Sequence, residues 1–324
     1  MAVAETASSP VALTRRHEPD AAESQWRRAL RRFTRHRMAV MGVLLMFGVI
    51  GFVIGGTLLH TEAYANLTNP AIKFQAPSAE HPFGTDSVGR DVFARSIYGG
   101  QISLMIAIAS VTISITLGTL VGLVSGYTVG GRYAWIDNLL MRIVDALLAF
   151  PALFLLLTIS QVFAKNPQLV ALRVNILGRE LNATALTIIF IIGILGWMGL
   201  ARIVRSLVLS LKEQEFVISA KAIGATDVQI IFKHILPNCI APIVVSATLG
   251  IGGAIITEAY LSFLGFGVQP PTATWGNILE RARDNISRYW WLAFFPGMLI
   301  TMTVLAINFI GDGLRDALDP RSTK

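Results

Sequence analysis

Residues 101–126, QISLMIAIASVTISITLGTLVGLVSG, contain no Asp, Glu, Lys or Arg. As a helix such a run rises about 39 Å, enough to cross a hydrocarbon layer of roughly 30 Å. Gly118, Gly122 and Gly126 recur every four residues along it. That spacing clears one helix face so that a second backbone can approach closely. Five more apolar blocks accompany it, at about 38–59, 135–163, 184–204, 239–263 and 289–310. Barrel strands would instead alternate apolar and polar residues over short segments. The fold class is therefore all-α: a polytopic membrane helical bundle with six transmembrane helices. Phe150 and Pro151 interrupt the third block, where a missing amide and a ring clash predict a kink.

Working outward, the 324-residue chain is 53% hydrophobic and 15% charged, with mean hydropathy +0.60. Its net charge of +7 does not require a nucleic acid. With a cytoplasmic amino terminus, 18 of the 27 Lys and Arg fall in inner segments and 9 in outer ones, so membrane orientation accounts for the excess. Both termini are then cytoplasmic. Cys239 is the only cysteine, and the five histidines have no ligand spacing, so no metal site is expected. Residues 1–37 divide into a polar tail and, over QWRRALRRFTRHR, an interfacial helix suited to a bilayer surface. Residues 38–324 form the transmembrane domain.

Between the fourth and fifth blocks lies a long patterned loop, about 212–237, containing EFVISAKAIGATDVQIIFKHILPN (215–238). Phe216, Ala220 and Ile223 are spaced as one apolar helix face, flanked by Lys212, Glu213, Glu215 and Lys221. Gly224 is placed to end that helix in the left-handed conformation. Thr226 and Gln229 have capping-box spacing for a second short helix through Val228, Ile231 and Phe232. Pro237 then begins the approach to the fifth block. A connector does not need a defined bend, whereas an element docking into a cleft does.

Ionisable residues near the blocks are few. Arg142 and Asp145, three apart, are spaced to pair on one helix face, with Asp137 one turn and more before them. Glu258, near the outer end of the fifth block, is either a substrate-path carboxylate facing an aqueous cavity or a hydrogen-bonding group within the bundle. Outside, HPFGTDSVGRDVFARSIYGGQISL (81–104) places Gly84, Asp86, Gly89, Arg90 and Asp91 in a turn-rich stretch, expected to be a compact loop held by local ion pairs. Segment 164–183 is too polar to span and is expected to cover the outer mouth as a short helix with loops.

The Gly224 turn, with Ala220 before it and Ile235, Leu236 and Pro237 after it, resembles the EAA loop of permease subunits of binding-protein-dependent ABC importers. FGTDSVGRD (83–91), LSFLGFGVQPPTATWGNIL (261–279) and GDGLRDALDP (311–320) resemble the C-type permease subunit of oligopeptide and dipeptide importers, and the likeness runs from about Arg27 to Pro320. One departure is local: the general pattern has an acid six positions before the glycine, where this chain has Ile218, and Glu215 is the nearest acid. The resemblance implies a bacterial inner membrane location and a homologous B-type permease partner. It also implies two ABC ATPase subunits gripping the loop and an extracytoplasmic binding protein that delivers peptide. No G-x-x-x-x-G-K-[ST] phosphate loop occurs, so no catalytic residues and no cofactor are expected in this chain, and ATP and Mg belong to the partners. The same motifs suit importers of glutathione, nickel chelates or opines. A self-sufficient secondary transporter would need central ionisable groups that are scarce here, and an intramembrane enzyme would need a catalytic constellation that is missing.

Overall fold

A computed structural model of the chain describes residues 25–164, 173–176 and 179–318. The amino-terminal tail expected before residue 25 lies outside them, as do parts of segment 164–183 and the final residues of the GDGLRDALDP motif. Helix α1 (Gln25–Arg35) meets α2 (Arg37–Ile50) at His36, whose Nδ1 accepts the Ala39 amide. After a short α3 (Glu62–Asn66) come α4 (Val92–Thr128), α5 (Ala134–Ala149) and α6 (Ala152–Ala164). Two strands, β1 (Arg173–Ile176) and β2 (Arg179–Asn182), pair antiparallel before α7 (Ala183–Leu211). The remainder is α8 (Glu215–Ala222), α9 (Asp227–Phe263), α10 (Trp275–Ala282) and α11 (Trp291–Leu318).

Among the described residues five helical segments are long and apolar enough to cross a membrane: α4, α7, α9, α11, and α2 with the π-helical and 3-10 turns that carry it on to Leu58. The sixth crossing is a broken one. At Phe150 and Pro151 the chain bends by 91° between α5 and α6, far beyond a kink. Packing of α4 on α7 shows that this pair still carries the chain from one face to the other. A Cβ at Gly118 would lie 2.8 Å from the Trp197 carbonyl, at Gly122 2.7 Å from that of Ala201, and at Gly126 2.8 Å from that of Arg205. Contacts advance together along both helices, so α4 and α7 run parallel, and the segment between them must return across the bundle. The glycine stripe is thus the seam of the closest helix pair.

Around that seam, α11 packs antiparallel to α2 and to α9. Gly42 of α2 faces the Ala306 carbonyl of α11, and Gly311 of α11 faces Leu249 of α9. Ile106, Ile188, Ile191, Ile255 and Leu261 fill the centre. Leu44, Phe47 and Phe154 point outward, as an apolar solvent permits. Helix α4 begins nine residues before its apolar block, because Asp91 accepts the Ala94 amide and caps it at Val92. Segment 164–183, expected as a short helix, instead contains the β1–β2 hairpin among its described residues.

Candidate functional site

The loop from 212 to 237 is a hairpin set by local chemistry. Gly224 takes φ 87° and donates to the Lys221 carbonyl, while the Ala225 amide reaches that of Ala220. These two bonds complete a Schellman cap on α8. Thr226 and Gln229 then close a reciprocal capping box, with Gln229 N to Thr226 Oγ1 at 3.3 Å and Thr226 N to Gln229 Oε1 at 3.0 Å. The second helix is not separate, however. It continues through a π-helical stretch, Ile230–Ile235, into the long body of α9. Pro237 brings no amide to the ladder, and the Leu236 amide reaches back five residues to Ile231.

The face of the hairpin that turns inward also differs from the i, i+4, i+7 expectation. Val217 and Ala220 are buried with Ile230, Ile235 and Cys239, whereas Phe216 and Ile223 are exposed. Three of the expected apolar face residues therefore divide, because contact with α9 selects the Val217 side. Phe216, Ile218, Ile223, Val228 and Phe232 are all large and exposed, forming an apolar surface on a capped hairpin. Glu215, Lys221, Gly224 and Pro237 are exposed beside it and Leu236 is half-buried.

Side chains distant in sequence tie this hairpin to the spans. Tyr127 Oη, at the end of α4, donates to Asp227 Oδ1 at 2.6 Å, and Lys212 Nζ donates to the Val129 carbonyl at 2.7 Å. One turn deeper, Arg205 of α7 grips Asp137 of α5 through Nε at 2.6 Å and Nη2 at 2.8 Å, and Ser125 of α4 donates to the same carboxylate. The pairing expected between Arg142 and Asp145 is replaced by one between Asp145 and Arg202 at 2.5 Å, since α7 crosses α5 there and carries arginines within reach. No local spacing announces a contact between residues 68 or 100 apart, so Tyr127, Asp227 and Arg205 escape a sequence reading.

At the opposite end the 81–91 loop is compact and ion-paired. Gly84 and Gly89 take φ 70° and 76°. Asp86 accepts the amides of Val88 and Arg90 and both Nε and Nη2 of Arg90, at 2.9, 2.9, 2.7 and 2.5 Å. Asp91 divides its oxygens between the helix cap and His81 Nδ1 at 2.7 Å. Glu258 is fully buried, accepting Ser103 Oγ at 3.1 Å and Ser262 Oγ at 2.8 Å, so its carboxyl belongs to the bundle interior rather than to a cavity wall. Ser103 in turn accepts the Trp275 amide, which links α4, α9 and α10. A cavity of about 150 Å³, mainly apolar in its lining but with Gln161, Thr184, Thr187 and Gln269 on its wall, opens between α6, α7 and the chain after α9.

Comparison with known proteins places these features in context. The family profile described as "Binding-protein-dependent transport system inner membrane component" matches residues 118–324. A second, "N-terminal TM domain of oligopeptide transport permease C", matches residues 24–77. The chain is similar to the dipeptide transport system permease protein DppC of Alkalihalophilus pseudofirmus, with 44% identity over 93% of this chain and 91% of that protein. It is also similar to a putative peptide transport system permease protein of Brucella abortus, 42% identical over 94% of each. Among solved structures, an inward-facing MetNI methionine ABC transporter contains a chain that matches with a TM-score of 0.53 and 19% identity, over 68% of this chain and 94% of that one. That last likeness concerns the fold.

Proposed function

The chain belongs to the family of binding-protein-dependent transport system inner membrane components, and on that premise we propose that it forms half of a peptide path across a bacterial inner membrane. A homologous B-type permease supplies the other half, an extracytoplasmic binding protein delivers di- or oligopeptides, and two ABC ATPase subunits bind ATP and Mg and drive the cycle. Both termini and the 212–237 hairpin face the cytoplasm in this reading, and the chain itself is not an enzyme.

The observation that carries the coupling role is the apolar surface of Phe216, Ile218, Ile223, Val228 and Phe232 on a hairpin whose two helix ends are both capped at its turn. Such a surface, at the end of the bundle where the arginine-rich α1 also packs, against Gly313 of α11, suits a cleft in a partner protein. A nucleotide-driven change can bias the spans only if the docked element meets different contacts in the two states. The hairpin is continuous with α9 and bonded to α4 through Tyr127, so displacement of its tip reaches two spans directly. Peptide as cargo is supported by the two relatives, whose names refer to dipeptide and peptide transport.

The test is uptake in vesicles containing this chain with its partner subunits and binding protein. Labelled di- and tripeptides are expected to accumulate only with ATP inside. Uptake by this chain alone, driven by an ion gradient and indifferent to ATP, would show that the reading is wrong.

A further inference from the structure

At the outer end of the bundle, Arg95 is 1% exposed and lies four residues after the N-cap of α4. Its Nη1 donates to Asn66 Oδ1 at 2.9 Å, while Nε and Nη2 are buried with no hydrogen-bond partner among the described residues. Three physical penalties meet there. A buried guanidinium with unmade bonds loses its hydration without replacement. It sits beside the positive end of a 37-residue helix, where a cation is disfavoured. Arg90 and Arg281 also lie close enough for their charges to oppose its own.

The acceptors of Asp86, Asp91 and Asn66 are already committed. A carboxylate offers about four lone-pair sites, and Asp86 uses four, for two backbone amides and the Nε and Nη2 of Arg90. Asp91 serves the α4 cap and His81, and Asn66 Oδ1 serves Nη1. Arg281, half-buried on α10, is itself held below the ordinary arginine value by burial and by Arg90. The two unpartnered nitrogens share one edge of the guanidinium, the edge that presents parallel N–H groups to a single acceptor.

We propose that Arg95, flanked by Arg90 and Arg281, is the receptor for one small monovalent anion, a halide or a single carboxylate group, held by Nε and Nη2. The bound anion accepts the two unserved N–H groups and fastens the start of α4 to α3 and the 81–91 loop. The site stands apart from the coupling hairpin and does not depend on the transport reading.

The experiment uses the chain purified with the subunits it assembles with, exchanged into a buffer whose only anion is a bulky sulfonate. Chloride, bromide and acetate are titrated at constant ionic strength while the unfolding midpoint is followed. A saturable rise with at least one of them is expected, and the halide-to-acetate preference identifies the source. Arg95→Met is expected to give a flat response and, in sulfonate alone, a midpoint at or above that of the natural chain, because an unpaired buried charge has been removed. Arg281→Gln, which keeps Arg95, is expected to raise the half-saturating concentration severalfold. No saturable rise, or the same rise in Arg95→Met, overturns the proposal. Should Arg95→Met fail to assemble, density at Nε and Nη2 in bromide or acetate decides. An anion there supports the site, whereas water alone or a neighbouring subunit's carboxylate overturns it.

Discussion

Gly224 holds φ 87° with open space around its Cα, since a Cβ built there meets nothing within 4 Å. The cost of replacing it is therefore conformational, about 1–2 kcal/mol for an L residue in that region. Gly224→Val is expected to insert and assemble normally but to lower peptide uptake per ATP hydrolysed, with Gly224→Asn nearer the natural chain. Uptake and ATPase rates measured on the same vesicles check this, and unchanged coupling in the valine variant would dissociate the turn from transmission. Its left-handed role was legible because glycine followed by Thr226 and Gln229 is a local code. Glu258 was not decided by its neighbours in sequence, because its partner Ser103 is 155 residues away. Glu258→Leu should leave two buried serine hydroxyls without their acceptor and cost about 1–3 kcal/mol. Glu258→Gln should cost less. Detergent-resistant thermal unfolding distinguishes the two, and equal losses would argue against the hydrogen-bond account.

Between elements, the glycine stripe of α4 gives a sharper contrast. A Cβ at Gly122 would stand 2.6 Å from that of Val204, so Gly122→Ala is expected to force α4 and α7 apart and lose about 1–3 kcal/mol. Gly199→Ala, where nothing lies within 4 Å, is the matched control and should be near neutral. The four-residue spacing marked the stripe, but the partner helix emerged only in three dimensions. The ion pairs repeat the lesson: a three-residue interval suggested Arg142 with Asp145, whereas the crossing helix supplied Arg202 to Asp145 and Arg205 to Asp137. Asp137→Ala leaves Arg205 without its carboxylate in a partly screened site, an expected loss of roughly 1–3 kcal/mol. Exchanging the two residues should recover part of it. A double-mutant cycle on unfolding midpoints measures the coupling, and strict additivity would show that the contact is incidental.

Over the whole molecule, six crossings were readable from block lengths, since hydrocarbon thickness imposes one length on every span. The 91° break at Phe150 and Pro151 was readable only as a kink, because proline removes a bond while packing against α7 sets how far the halves diverge. Likewise the second half of the hairpin merges with α9, a continuity that the capping box at Thr226 could start but not extend. At this scale, disconnecting hairpin from bundle should separate hydrolysis from transport. Tyr127→Phe, which deletes one donor at the surface, is expected to reduce uptake more than ATPase activity, and a proportional fall in both would instead signal a general loss of assembly. What the sequence determined by itself was everything enforced locally or by the solvent: helix class, span number, caps, and the turn at Gly224. Tertiary structure decided which faces are buried, which charges pair, and that Glu258 is interior while Arg95 has two nitrogens unserved among the described residues. Those outcomes depend on groups separated by tens to hundreds of residues, and chain spacing carries no information about which of them packing will bring together.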